Sequence, residues 1–431
     1  MGSEMCIRDR IIAGVNLFYK GIFILNKNFW IVIVSTFLIL TGIFFIFSKK
    51  QDNNEVVFWT LQMNDFAPYI NGVIKDFETE NPNIKIKWVD VPFSEGEKRT
   101  LASVLSDNPP DLVNLNPDFS STLAHKGALY EIPQSKTLQF NQEILNSLKT
   151  NGKIYSIPWY ATSAITIYNK VLINKAGIQV PKTYSEIEKF APIVRKNTNA
   201  YIILPNITEN DTMLKILNKY GITNYTQLAT DDSVHVFNMF KSMYAKNLIP
   251  KETVTMTLQE SLEKYMSGNI VLLGAGANFL NMIKENAPST YKTTDVAPQI
   301  VGELGQNDFS LMNFVIPIKS KHKEEALKFA LFLTNNKNQL ELAKLTNVLA
   351  VNEETLQNDF YTKYDKNDLM SKARVISANQ LNKVQPVFKT QKGQKDINNL
   401  INASVQEILL GKNDTKKILT KTAKDWKSLN D

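Results

Sequence analysis

Four stretches of this chain carry side chains suited to holding a small polar solute. They are Gln62, Asn64 and Asp65; Asn116 and Asp118; Trp159, Tyr160 and Thr162; and Asn278 with Phe279. Amides and carboxylates hydrogen-bond hydroxyl groups, while aromatic faces supply rigid contact area over C–H patches. A buried polar group also penalises any analogue lacking the matching hydroxyl. A hydroxylated small molecule, held without metal or cofactor, is the ligand such a mixture suits. Competing structural uses exist for the same residues. Asp65 and Asp118 precede predicted helices, where an aspartate is a good N-cap. Trp159 and Tyr160 could pack in a core, as could Trp59, which lies within an apolar run.

Catalytic constellations are missing by spacing. The three histidines, His125, His235 and His322, never pair at helical spacing, so HExxH-type metal sites are absent. There is no G-x-S-x-G elbow and no G-x-x-x-x-G-K-S/T phosphate loop. Gly274-Ala275-Gly276 follows a predicted strand, but Phe279 stands where a dinucleotide turn needs its third glycine. Glu78 with Glu80 and Glu324 with Glu325 fall on predicted helix surfaces, where solvated carboxylates are the default. Asp65 and Asp118 facing one another across a cleft would leave a glycan-active enzyme as a remote alternative. The single cysteine, Cys6, permits neither an intrachain disulfide nor a thiolate metal site. These residues predict a binding module and not an enzyme.

Positioning these residues requires an α/β scaffold. VVFWT (Val56–Thr60) reads as a buried strand. Phe66, Ile70, Val73, Ile74 and Phe77 then recur at helical spacing, and Asn81-Pro82 ends that helix. IKIKWVDV (Ile84–Val91) alternates as a strand. Leu101, Val104 and Leu105 mark a second helix, closed by Asn108-Pro109-Pro110, and DLVNL (Asp111–Leu115) is a third strand. Alternation of this kind implies a parallel sheet whose ligands bind beyond the carboxyl ends of its strands. The loops after Thr60 and Leu115 are therefore site candidates. Further strands are expected at Ala164–Lys170, Ala200–Pro205, Ile270–Gly276 and Phe314–Ile318. Helices are expected at Tyr184–Arg195, Thr212–Tyr220, Val234–Asn247 and Lys323–Leu333, and from Ile397 to Trp426 with a break near Gly411.

Charge and the N-terminus narrow the partners. The formal charge of +7 over 431 residues is concentrated at the start, where the first fifty residues hold six basic and two acidic side chains. A nearly neutral remainder gives no reason to expect nucleic acid. The opening MGSEMCIRDR reads as a leader outside the fold. Phe29–Phe47, FWIVIVSTFLILTGIFFIF, is nineteen residues without a charge, long enough to cross a bilayer's hydrocarbon core of about 30 Å. Its end, Ile46-Phe47-Ser48-Lys49, lacks the small-x-small pattern of a cleaved signal, so an anchor holding the body outside the cytoplasm is expected. A cleaved, secreted form is the alternative.

Gly152–Thr183 reads GKIYSIPWYATSAITIYNKVLINKAGIQVPKT. Gly152, Tyr155 and Pro158, then Tyr168-Asn169-Lys170, Ala176-Gly177-Ile178 and Pro181-Lys182-Thr183, closely resemble the signature region of family 1 extracellular solute-binding proteins. These are the maltose-binding-protein-like sugar receptors of ABC importers. YMSGNIVLLGAGANF (Tyr265–Phe279), NFVIPIKSKHKEEALKFALFL (Asn313–Leu333) and SVQEILLGKNDTKKILTKTAKDW (Ser404–Trp426) resemble further segments of that family. The resemblance covers about residues 55–430. Where the family often carries G-x-W, this chain reads Gly276-Ala277-Asn278, followed by Phe279. It also has an apolar segment where the family usually has a lipidated cysteine or cleavable signal.

The resemblance implies a two-lobe α/β fold of the periplasmic-binding-protein kind, with discontinuous lobes joined by a hinge. The N-terminal sequence itself puts a transmembrane helix before it, with residues 1–28 as a leader, 29–47 as the anchor and 48–55 as a linker. Lobe 1 is then 56–163 with 296–345, and lobe 2 is 164–295 with 346–431, with linkers near Thr162–Thr166 and Gln306–Asn313. The resemblance further implies a monomer that captures a sugar by hinge closure and delivers it to ABC permease subunits. A membrane-tethered sensor or adhesion module is the alternative, although no output domain follows the body.

Overall fold

A computed structural model describes residues 54–61, 63–381 and 393–430, without the side chains of residues 54, 65, 93–98 and 430. Gln62 and the segment Phe29–Phe47 lie outside the described residues, as does the Asp65 side chain. Among the described residues no helix is long and apolar enough to cross a membrane. Glu55–Asp431 forms one compact unit.

Twelve strands occur along the described chain: β1 (Asn54–Leu61), β2 (Ile84–Val91), β3 (Leu112–Leu115), β4 (Lys149–Thr150), β5 (Lys153–Ile154), β6 (Ser156–Thr162), β7 (Ala164–Asn169), β8 (Tyr201–Ile203), β9 (Ile270–Gly276), β10 (Thr294–Ala297), β11 (Ser310–Val315) and β12 (Leu349–Ala350). They build a larger sheet in the order β12-β6-β11-β3-β1-β2, a smaller one in the order β10-β7-β9-β8, and the short pair β4-β5. β1 and β3 run parallel with Phe58 opposite Leu112, as the alternating pattern predicts. β11 is antiparallel to both β3 and β6, so the larger sheet is mixed. In the smaller sheet β8 and β9 are parallel, while β7 and β10 run against their neighbours.

Local chemistry sets the helix ends. Asn141, Asn169, Asn335 and Asn352 cap their helices by accepting backbone N–H groups, and Thr257 with Glu260 forms a capping box. Each sheet buries its own core. On the larger one, Phe58 meets Phe314 and Phe329 at centroid distances of 5.7 and 5.3 Å, and Phe77 joins Phe329 at 4.9 Å. The helices Ala67–Glu80 and Lys323–Leu333 supply Phe77 and Phe329. On the smaller one, Ile202 and Leu272 pack with Phe237, Phe240, Ile401 and Trp426. Burying each such side chain stabilises the fold by about 1.5–3 kcal/mol before chain entropy is counted.

Three connections pass between the two sheets. Ser163 alone separates β6 from β7, residues 298–309 lead from β10 to β11, and the chain beyond β12 reaches the helix Leu369–Leu381. That helix packs on β7, β10 and β12. The expected linkers were broader: Thr162 and Ala164–Thr166 belong to strands, and Ser310–Asn313 is part of β11. The strand expected at Phe314–Ile318 begins earlier and ends at Val315. Strand membership places Thr294–Ala297 on the smaller sheet and Leu349–Ala350 on the larger.

A buried polar cluster ties these connections together. Gln380 Nε2 donates to Ser163 Oγ at 2.8 Å and to the Ala164 carbonyl at 2.9 Å, while the Gln299 backbone N–H donates to Gln380 Oε1 at 2.6 Å. Gln299 Nε2 reaches the Asp308 carbonyl at 3.0 Å. Lys219 Nζ donates to Gln299 Oε1 and to the Ile300 carbonyl, both at 2.8 Å, and lies 3.4 Å from Asp308 Oδ2. Gly302 is required here, because a Cβ on it would stand 2.3 Å from the Lys219 carbonyl oxygen.

Candidate functional site

A cavity of about 730 Å³ opens where the carboxyl ends of the strands meet. From the larger sheet it is lined by Met63 and Phe66 beyond β1, Tyr160 and Thr162 of β6, and Leu342 and Asn347 near β12. From the smaller sheet come the loop after β8, including Asn206, Glu209 and Asp211, and the end of β9 with Asn278 and Phe279. The parallel pair β8 and β9 sends both carboxyl ends toward the cavity, which is where open α/β sheets bind ligands. Ser163, Gln299, Lys219 and Asp308 line it as well, so the polar cluster between the sheets forms part of the wall.

Charges in the wall are already engaged. Lys219 is buried and held by Gln299, the Ile300 carbonyl and Asp308. Lys215 pairs with Asp211 at 3.2 Å across one helical turn. Burial pushes the Lys215 ammonium down in pKa, but the carboxylates of Asp211, Asp308 and Asp118 outweigh it, and the net shift is upward. Burial pushes the Asp308 carboxyl up, yet the Lys219 and Lys215 charges hold it below the ordinary carboxylate range. Glu209 accepts from Asn206 Nδ2 at 2.7 Å and from the Leu258 N–H at 2.9 Å. Burial alone drives the Tyr160 phenol up to about 12, so it is neutral and able to donate.

The residues expected at the site divide into three groups. Tyr160, Thr162, Asn278 and Phe279 line the cavity. Asn64 is exposed in the short helix Asn64–Phe66 and does not line it, although the neighbouring Met63 and Phe66 do. Asn116 is the N-cap of Pro117–His125, its Oδ1 accepting from the Phe119 N–H at 2.8 Å. Asp118 sits in the first turn of that helix, does not line the cavity, and its charge raises the pKa of Lys215. Trp159 does not line the cavity: it is 0% exposed in the larger core, 4.6 Å from Phe314, at the position where β6 bulges against β11. The loop 204–212, Lys215, Lys219, Gln299 and Asp308 were missed. Their positions beyond β8 and on the connections carry no motif, and only strand order brings them together.

Among the described residues no group of three or more His, Cys, Asp or Glu side chains could hold an ion.

Residues 72–368 match the family described as bacterial extracellular solute-binding protein. The chain is 25% identical over 312 residues to the multiple sugar-binding protein of Streptococcus mutans, covering 67% of this chain and 73% of that one. It is 25% identical over 332 residues to the diacetylchitobiose binding protein of Streptomyces coelicolor, covering 70% and 74%. Among solved structures, a periplasmic-binding protein assigned to oligosaccharides from Synechococcus sp. MITs9220 superposes with a TM-score of 0.78 at 28% identity, over 86% of this chain and 98% of that one. The sugar-binding protein MalE of Xanthomonas citri gives a TM-score of 0.75 at 18% identity, over 87% and 97%.

Proposed function

This chain belongs to the bacterial extracellular solute-binding proteins, and we propose that it captures a neutral sugar or similarly hydroxylated solute for an ABC importer. One observation carries the choice of ligand. The cavity offers amides, hydroxyls and aromatic faces, while its lysines, Lys215 and Lys219, are already paired with carboxylates. An anionic ligand would meet Glu209, Asp211 and Asp308, and among the described lining residues no further lysine or arginine offsets them. Carbohydrate-binding relatives support the same reading.

Capture proceeds by hinge closure. Each sheet with its helices forms one lobe, and Ser163, residues 298–309 and the chain leading to the helix Leu369–Leu381 bend between them. Membership of β10 in the smaller sheet and β12 in the larger supports lobe boundaries after Ala297 and Ala350, a few residues beyond the expected 296 and 346. Ligand held between the lobes favours the closed state by its higher affinity for that state, and separate permease subunits recognise the closed shape. The segment Phe29–Phe47 anchors the body outside the cytoplasm. Fractionation tests the anchor: recovery of a soluble, N-terminally trimmed form from periplasm or medium would replace it with a cleaved signal.

A thermal-shift screen tests the ligand class. Maltotriose, diacetylchitobiose, arabinotriose, mannitol, glucose 6-phosphate, galacturonate and amino acids are titrated against the protein. At one hundred times its Kd a true ligand stabilises the fold by about 2.7 kcal/mol. We expect this for at least one neutral sugar or polyol and for none of the anions; stabilisation by amino acids alone would end the sugar reading. Tyr160→Ala and Phe279→Ala are each expected to weaken the responding sugar about tenfold, equivalent to roughly 1.4 kcal/mol of lost contact, by calorimetry.

A further inference from the structure

We propose that the Ser377 hydroxyl is a specificity-determining ligand contact, pairing with a solute hydroxyl inside the cavity. The assignment rests on the sugar-capture reading and names a residue on the third connection between the sheets.

Ser377 lies in the helix Leu369–Leu381, is 4% exposed and lines the cavity. Its Oγ has no hydrogen-bond partner. Buried side-chain polar atoms without a partner also occur at Thr100, Asn114, Trp159, Ser233, Thr253, Gln306, Asn313 and Asn338, and none of those residues lines the cavity. Among the described residues, Ser377 alone combines an unsatisfied buried hydroxyl with the ligand-sized space.

Internal satisfaction was open to it. A serine or threonine in a helix can donate to the carbonyl four residues earlier. Thr334 does so to Ala330 at 2.8 Å, Thr422 to Ile418 at 2.9 Å and Ser404 to Leu400 at 2.9 Å. Ser377 makes no such bond. The helix packs on β7 and β12, whose lining residues Ala164, Ile165 and Leu349 bring no side-chain polar group to it. A hydroxyl both donates and accepts, so the group that satisfies it best is another hydroxyl. A solute bearing one at this point gains a bond that its deoxy analogue leaves unmade, which is how a polar site discriminates strongly.

Position couples the contact to the connections. Ser377 and Gln380 are three residues apart and share a helix face. Gln380 carries the bonds to Ser163 and Ala164. A solute held at Ser377 therefore bears on the helix face that grips the junction between β6 and β7.

Ser377→Ala and Ser233→Ala are compared with wild type in the full chain, in detergent, by calorimetry and thermal unfolding. The probes are maltotriose, diacetylchitobiose, arabinotriose and mannitol. Ser233 is the control, since its hydroxyl is equally orphaned at 0% exposure but lies away from the cavity. We expect Ser377→Ala to leave the empty protein at least as stable as wild type, and to weaken the responding probe about tenfold or more. Ser233→Ala is expected to leave affinity unchanged. Unchanged affinity in Ser377→Ala, an equal loss in both variants, or unfolding of Ser377→Ala would overturn the assignment while leaving sugar capture in place. Failure of the wild-type protein to respond to any probe would overturn the sugar reading, and the assignment with it.

Discussion

Replacing Asp308 by alanine is expected to lower the unfolding free energy by about 3–5 kcal/mol, the cost of stranding a buried charge. Lys219 Nζ would keep Gln299 Oε1 and the Ile300 carbonyl but lose its one carboxylate partner. Its side chain is only 7% exposed, so its charge depends on Asp308 far more than on solvent. Gly302, pressed against the Lys219 backbone, leaves the lysine little room to withdraw. A double variant, Lys219→Met with Asp308→Leu, should recover most of the loss, because apolar replacement of both partners removes the stranded charge. Urea unfolding at pH 7 measures all three; a change below about 1 kcal/mol for Asp308→Ala would show that the pair is screened. The acid limb supplies an independent check. The folded Asp308 carboxyl lies below its unfolded value of about 3.9, so its stabilisation is complete above that pH. The contribution disappears as pH falls through the lower folded value. Asp308→Asn should therefore show a flatter decline in stability below about pH 4 than the wild-type protein.

Much of this architecture was legible because hydrophobic period and strand–helix alternation are local signals. Ile84–Val91 forms a strand over the residues its alternation marks, and Lys323–Leu333 a helix. Other elements had weaker signals. Ser156–Thr162 contains Pro158 and ends one residue before the next strand, so no strand is expected there, although it pairs with both β11 and β12 in the larger sheet. Pro158 is accommodated beside a bulge in β6, where consecutive Met312 and Asn313 of β11 pair with Tyr160 and Pro158 and leave Trp159 over. Two-residue β12 has no period at all, and only its pairing with Tyr160 and Ala161 defines it.

The site was legible only at strand ends. Tyr160, Thr162, Asn278 and Phe279 follow from the rule that ligands bind beyond carboxyl termini. Gln299, Asp308 and Ser377 sit on connections whose spatial convergence depends on which sheet each strand joins. No spacing encodes that choice. Asn116 shows the converse error, an amide placed beside the site by strand order and consumed as a helix cap.

Trp159 and Tyr160 should separate cleanly in their response to mutation, although they are adjacent in sequence. Trp159→Ala is expected to cost roughly 3–5 kcal/mol of stability, as for other large aromatic truncations in a core. Its ring packs 4.6 Å from Phe314 and 5.0 Å from Tyr160, and its carbonyl accepts from Gln339 Nε2, which ties β6 to the helix Asn336–Thr346. The indole N–H has no partner, so Trp159→Phe removes an unsatisfied donor along with part of the ring. That variant should lose less stability than the alanine one and bind its sugar as the wild-type protein does. Tyr160→Ala should show the opposite balance, because its half-buried ring forms part of the cavity wall. Parallel urea melts and calorimetric titrations of the three variants read both quantities. Loss of sugar affinity in Trp159→Phe at undiminished stability would place the indole in the binding site and refute its assignment to the core. The separation follows from burial: Trp159 is enclosed by the larger core, whereas the ring of Tyr160 that packs against it also borders the cavity.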